Sequence, residues 1–388
     1  MSSGAVKPKA WRADLPAKLV RAVIEVAPGN GAGVGDVSWV SGTLARLHHL
    51  MSGLIGHSMY GILALKEARG RGLQVAPLMA RHLPSFLCGS YLGSDIQVMP
   101  EAVCVDTGRE VGFGTVPLTR SPLTGGEVRP WSLVHEGKSH RPGDIHQLFY
   151  GRAHLVFGWA RGEEGLSVPW DHLADYIAPV MQDGMSSERG LAYALGWLVH
   201  IVGDSLIKSV QPGLRMHLLD GVYTPRNRIV QDQFTYHAIG GELDVEWETV
   251  FRDMAAAPVE ALQPHSMRVG ERNGRLGDVF SEGWRPDLAP LLESVLRENR
   301  RWLVHHSRDV LEVVSLKDGR VSDAAGSASG GLDHETMMSM AEAAGMRRTL
   351  VTIADQAVDL MERVIDQVPA WKALPRVPAQ PWSRLGVA

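Results

Sequence analysis

Within LAYALGWLVHIVGDSLIKSVQPGLRMH, residues 191–217, Tyr193, Trp197, His200 and Asp204 follow one another at spacings of three and four. At 3.6 residues per turn they share one face of a helix, so an imidazole and a carboxylate point the same way from adjacent turns. Both are metal ligands by type. An unpaired carboxylate in such an apolar helix costs several kcal/mol (roughly), so Asp204 needs either a proton-bearing partner or a cation. The pair alone allows two readings, a mutual His–Asp hydrogen bond in a helical core or part of a metal site.

Further groups of the same chemistry recur along the chain. A helix expected over residues 41–69 carries His48, His49 and His57 among Leu47, Leu50, Met51, Leu54 and Ile55, so at least one imidazole must sit near its apolar face. HLPSFLCGSYLGSDIQVMP, residues 82–100, ends an apolar run at Asp95, which suits a ligand or a helix cap. Pro142, Gly143 and Asp144 open a helix expected to reach residue 159, in which His146, Tyr150 and His154 recur every four residues. His217 closes the segment that holds His200 and Asp204. Taken singly, His57, His306 and His334 read as satisfied core histidines. His305 and Asp309 line up with Glu298, Arg301 and Glu312 on a charged helix face and read as a solvated pair.

The elements that must position these groups are helical. Thr224 caps and Pro225 enters the first turn of a helix running to about Ala238. Helical spacing also covers residues 292–314, and a stripe of Met337, Met340, Ala344, Val351, Ala354, Val358, Met361 and Ile365 covers residues 334–368. Short alternating runs broken by Gly, Pro and Thr predict a small β insertion over residues 102–134. The expected organisation is a single all-α, multi-helix metal-binding domain over residues 1–388. It comprises an N-terminal extension (1–40), a core (41–314) with the β insertion, a polar mobile loop (315–333), a C-terminal helix (334–368) and a proline-rich tail (369–388). The glycine-rich GNGAGVG, residues 29–35, fits neither dinucleotide nor P-loop spacing and reads as a loop.

The order His49, Asp95, His146, His200, Asp204, His217, and above all LGWLVHIVGDS, resembles the zinc-dependent phospholipase C and single-strand nuclease superfamily, over residues 41–240. The resemblance implies an all-helical phospholipase C-like fold with clustered zinc ions. It implies Asp95 as a ligand that also orients the attacking water, His146 or His154 as the next ligand, His200, Asp204 as the bridging carboxylate, and His217 after Gln211-Pro212. Tyr150, Asn227 and Gln231 would meet substrate. Two departures stand out. No processing signal precedes Trp39, whose counterpart in secreted members binds zinc through its amine. In RNRIVQDQF, Asn227 and Gln231 replace the closing His and Glu, and neutral amides are poor zinc ligands.

Composition bounds the function. A chain of 388 residues with 45% hydrophobic and 21% charged residues and a net charge of -4 has a globular profile and no nucleic-acid footprint in its totals. Sixteen histidines against two cysteines assign any metal to imidazole and carboxylate. Cys88 and Cys104 could pair but make no disulfide framework. No run of eighteen apolar residues spans a membrane, and the charged first thirty residues lack a secretory signal, so a cytoplasmic protein is expected. The leading expectation is a metallohydrolase acting on a phosphate ester, most simply a phosphodiester, with two or three zinc ions. The alternative is an intracellular biosynthetic metalloenzyme on the same scaffold, for which His/Asp ligands allow iron as readily as zinc. A non-enzymatic helical scaffold is the third.

Overall fold

The computed structural model describes residues 53–92, 100, 102–105, 110–111, 127–142, 144–145, 156–157, 166–167, 170–184, 187–207, 225–257, 288–373 and 375–379. All lie within residues 39–388, one of two units into which the chain divides. Of these residues 75% are helical and 8% strand, which makes the fold class all-α with small sheets.

The helices are α1 (Leu54–Gly70), α2 (Ala76–Arg81), α3 (Leu83–Leu92), α4 (Leu173–Gly184), α5 (Glu188–Ile207), α6 (Pro225–Phe234), α7 (Trp247–Ala256), α8 (Leu288–Val314), α9 (Asp323–Ser329), α10 (His334–Ala343), α11 (Met346–Gln367) and α12 (Pro369–Lys372). At the centre is α5, packed by α3, α11 and α1. Ser187 starts it, its Oγ accepting the Gly190 N–H at 3.0 Å, so an otherwise orphan first-turn donor is satisfied. From Ala192 to Gly203 every residue of α5 is buried, so it is a core helix on all sides rather than an amphipathic one. It is also the one described helix long and apolar enough to cross a membrane, and 89% of that stretch is buried inside the protein.

Two glycines let α3 and α5 approach to backbone contact. A methyl group on Gly196 would collide with the Phe86 carbonyl, and one on Gly89 with the Tyr193 carbonyl. Gly203, one helical stretch further, lies against the ring of Tyr60 from α1. These close approaches bring the first turns of α1, the last turns of α3 and the C-terminal half of α5 together, and the candidate site lies where they meet.

The small sheets are peripheral. β1 (Ala102–Cys104) pairs antiparallel with β2 (Glu110–Val111) and β3 (Val128–Pro130), and β4 (Leu133–His135) forms a hairpin with β5 (Lys138–His140). The β region thus begins at 102 as expected but runs beyond 134, to 140. Ile145 N–H bonds Arg141 O at 3.1 Å, the helical turn expected after Pro142. The helix expected to reach residue 159 does not, because β6 (Val156–Phe157) pairs antiparallel with β7 (Leu166–Ser167). Val and Phe at these positions satisfy strand and helix patterns equally, and cross-strand pairing decides.

The C-terminal third departs from expectation twice. Residues 315–333, expected to be a mobile loop, form a hairpin, β8 (Leu316–Lys317) with β9 (Arg320–Val321), and then α9. Asp318 and Gly319 take φ of 53° and 75°, the left-handed pair that a two-residue hairpin turn requires and that Asp-Gly supplies. The helix expected over residues 334–368 is two helices. Gly345 at φ 74° ends α10 and restarts the chain as α11, which resets the helical phase. The apolar stripe of α11 therefore runs through Leu350, Ile353, Ala357, Val358, Met361 and Ile365, while Val351 is 51% exposed. Asp333 caps α10 by accepting the Thr336 N–H at 2.7 Å. Past α12 the chain is extended, with Val377 N–H bonded to Gly72 O.

The polar segment RNRIVQDQF folds as α6, and it is buried: Arg228, Ile229, Val230, Gln231, Asp232, Gln233 and Phe234 are all at most 8% exposed. A π-turn, Thr235–Ile239, prolongs it. Burial of such a sequence needs polar partners, and the C-terminus of α8 supplies some of them. Gln233 Nε2 donates to Val314 O at 3.2 Å and His237 Nε2 to the same carbonyl at 2.9 Å, while His334 Nδ1 meets Gln233 Oε1 at 3.2 Å. These side chains satisfy carbonyls that the last turn of α8 cannot bond itself.

Candidate metal centre

His200 and Asp204 lie on one face of α5, as their spacing requires, and both are buried. The third member is His57 of α1. One donor atom from each of His57, His200 and Asp204 lies within 4.8 Å of the others. His57 Nε2 is 3.3 Å from Asp204 Oδ1, and His200 Nε2 is 3.8 Å from Asp204 Oδ2. The two imidazoles stack with centroids 4.2 Å apart and planes 11° from parallel.

Helix α3 orients this group. The Ser90 carbonyl, in its last turn, accepts a hydrogen bond from His200 Nδ1 at 2.9 Å. A carbonyl only accepts, so Nδ1 carries a proton and Nε2 is the ring nitrogen on the Asp204 side. The Ser90 hydroxyl donates to the His57 carbonyl at 2.6 Å, so a single residue of α3 ties α1 and α5 in register. Tyr60 meets the His57 ring edge-on at 5.3 Å, and Tyr91 lies 6.0 Å from it and stacks on His306 at 6.2 Å. Aromatic walls of this kind exclude water and lower the local dielectric, which strengthens whatever charge interaction the centre makes.

A buried polar layer lies next to this centre. Arg228 Nε donates to Asp232 Oδ2 at 3.5 Å, one turn apart on α6. Burial pushes the Asp232 carboxyl above its usual range, against the pull of Arg228 and of His306. Gln231 is 3% exposed, and its Nε2 makes no hydrogen bond among the described residues.

Sequence-derived candidates divide accordingly. His200 and Asp204 come together. Gln231 is on α6, and Asn227 is on the same helix with its side chain outside the described residues. His49, Asp95, His146, Tyr150, His154 and His217 also lie outside them. His57, read singly as a satisfied core histidine, stands instead with the two firmest candidates. The available signal was its setting: in GLIGHSMYGILAL it is the one imidazole in a run that is buried on every face. His305 is exposed at the surface of α8, as its charged helix face implies. Cys88 is a buried free thiol whose Sγ donates to Met254 O at 3.1 Å, with its thiol pushed up to about 12 by burial, so it is an inert core residue.

No family model, curated protein or solved structure matches the chain.

Proposed function

We propose that the protein is a metal-dependent hydrolase of phosphate esters, with His57, His200 and Asp204 as metal ligands. The observation that carries this reading is the convergence of two imidazoles and one carboxylate, all buried, within 4.8 Å. The donor set fits zinc or iron. His200 is fixed by Ser90 in the tautomer that leaves Nε2 to bind metal, a carbonyl partner typical of metal-ligating histidines. Asp204 has one carboxylate oxygen towards each imidazole, so its charge would be shared with an ion held by either ring. The superfamily resemblance implies further ligands in His49, Asp95, His146 or His154, and His217, with two or three ions in all. A metal bound here supplies Lewis acidity and an activated water at neutral pH. The chain's own part is to hold the ligands rigid through Ser90, to exclude bulk water with Tyr60 and Tyr91, and to orient the attacking water through Asp95.

The composition of α6 favours a second reading. Where the superfamily closes its site with a histidine and a glutamate, this chain buries Gln231 beside a guanidinium and an aspartate. A site with fewer ions suits an intracellular biosynthetic metalloenzyme, with iron as well as zinc open to it, on the same scaffold. Metal analysis of protein purified without added metal, with turnover of bis(p-nitrophenyl) phosphate, separates the two. Zinc with metal-dependent turnover is expected. Iron without turnover selects the biosynthetic enzyme, and a metal-free wild type of undiminished stability overturns both.

A further inference from the structure

Among the described residues the α6 guanidinium is a buried, poorly compensated charge. Arg228 is 2% exposed, carries five N–H donors by chemistry, and among the described residues makes one long hydrogen bond, 3.5 Å, to Asp232. Its Nη1 has no hydrogen-bond partner among the described residues. A buried cation in this state is costly, because desolvation is offset only by well-formed partners. The guanidinium also lies against Gly53, where a methyl group would collide with Nη2 and come 2.8 Å from Asp232 Oδ2. Gly53 is the N-cap of the 17-residue α1 and gives it no side-chain cap. The positive end of a helix dipole therefore meets a buried guanidinium, with Asp232 the carboxylate that offsets both among the described residues. The His57 N–H bonds the Gly53 carbonyl at 3.0 Å, so this point is one helical turn from the candidate metal centre.

We infer that Arg228 and the N-terminus of α1 form a receptor for a phosphoryl oxyanion, placed so that an anion on it reaches the His57–His200–Asp204 group. A guanidinium suits this because its planar fork presents two parallel donors to phosphate oxygens. Burial excludes water from the contact, which strengthens it. Absence of a side chain at Gly53 keeps the guanidinium against the helix end. The inference deepens the hydrolase reading by assigning the substrate's anionic group, and it rests on that reading only for the source of the anion.

Inorganic phosphate, titrated calorimetrically into the full-length protein in chelator-treated and zinc-loaded forms, tests it. The chelated wild type is expected to bind phosphate, and Arg228→Met to lose at least about tenfold in affinity, the worth of one charge-assisted hydrogen bond. Arg228→Lys, which keeps the charge but not the fork, should fall between them. Gly53→Ala should weaken phosphate binding by displacing the guanidinium while leaving its charge, so it and Arg228→Lys carry the test should Arg228→Met not fold. Arg252→Met, at an exposed position, should match the wild type. Wild-type affinity in a folded Arg228→Met, phosphate binding confined to the zinc-loaded form, or tighter binding of acetate than of phosphate would each overturn the inference. Failure of the metal reading shows elsewhere, as a wild type that takes up no metal while the chelated form still binds phosphate through Arg228.

Discussion

His57 and His305 are both histidines on long helices, and their surroundings separate them. The first stacks on His200 in a dry pocket and faces Asp204, while the second is exposed on α8. His57→Ala should lower metal occupancy by about 10-fold or more, the scale seen when groups that hold a metal site are removed, and His305→Ala should leave it unchanged; elemental analysis of the two purified variants decides. Asp204→Asn removes the shared charge while keeping shape, and it should lose more metal than Asp309→Asn. His334 offers a different test. Burial holds its imidazole below the usual value of 6.5, helped by the nearby His237 ring and opposed by Asp333. The unfolded chain then binds this proton first as pH falls, so the contribution is fully present above pH 6.5 and is lost as pH drops through the lower folded value. Denaturation midpoints measured across that window should fall with pH less steeply in His334→Gln than in the wild type.

At the scale of elements, the site depends on how closely three helices approach. Gly203 is filled by the Tyr60 ring, and Gly241 has nothing within 4 Å of where a side chain would begin. Gly203→Ala should therefore destabilise the protein by about 1–3 kcal/mol through overpacking. Gly241→Ala, at the end of the α6 extension, should be neutral or stabilising by up to about 1 kcal/mol, because it restricts the unfolded chain. Urea unfolding of both variants gives the comparison, and equal midpoints would show that the α1–α5 contact is slack. The polar helix α6 makes the complementary point. Its glutamine and histidine side chains bond the end of α8, so a sequence that reads as a surface helix is held inside.

Across the whole molecule the His57–His200–Asp204 cluster joins α1 to α5 at the core, and a charged surface network joins the other end of α1 to α11. Arg71 contacts Glu67 at 2.6 Å and also reaches Asp355 and Asp359, and Arg376 bonds Glu362 at 2.7 Å. These groups are partly exposed, so the network adds little stability compared with the buried centre. Metal that binds only the folded state stabilises it by mass action, about 4 kcal/mol at a thousandfold excess over Kd. Chelation should accordingly lower the melting temperature of the wild type by several degrees and leave that of His57→Ala unmoved. The same shift in both would place the metal elsewhere.

Helical class, the facing pair His200 and Asp204, the Pro225 helix start and the onset of the β region were legible in the sequence because each depends on local periodicity or capping. The partner of that pair was not. His48, His49 and His57 stand in similar apolar runs, and what brings His57 to Asp204 is the close approach of α1 and α5 at Gly203 and the bond from Ser90, contacts between residues more than thirty positions apart. Tertiary contact likewise buried Arg228 in a segment whose composition suits solvent. The β6–β7 pairing stopped a helix whose local pattern would have continued, since strand pairing is settled by a partner and not by the segment itself. Gly345 moved the α11 stripe from Val351 to Leu350 because one left-handed residue resets the helical phase. Local rules set the type and facing of each element, while the meeting of elements set which polar groups share a dry space, and the chemistry belongs to that space.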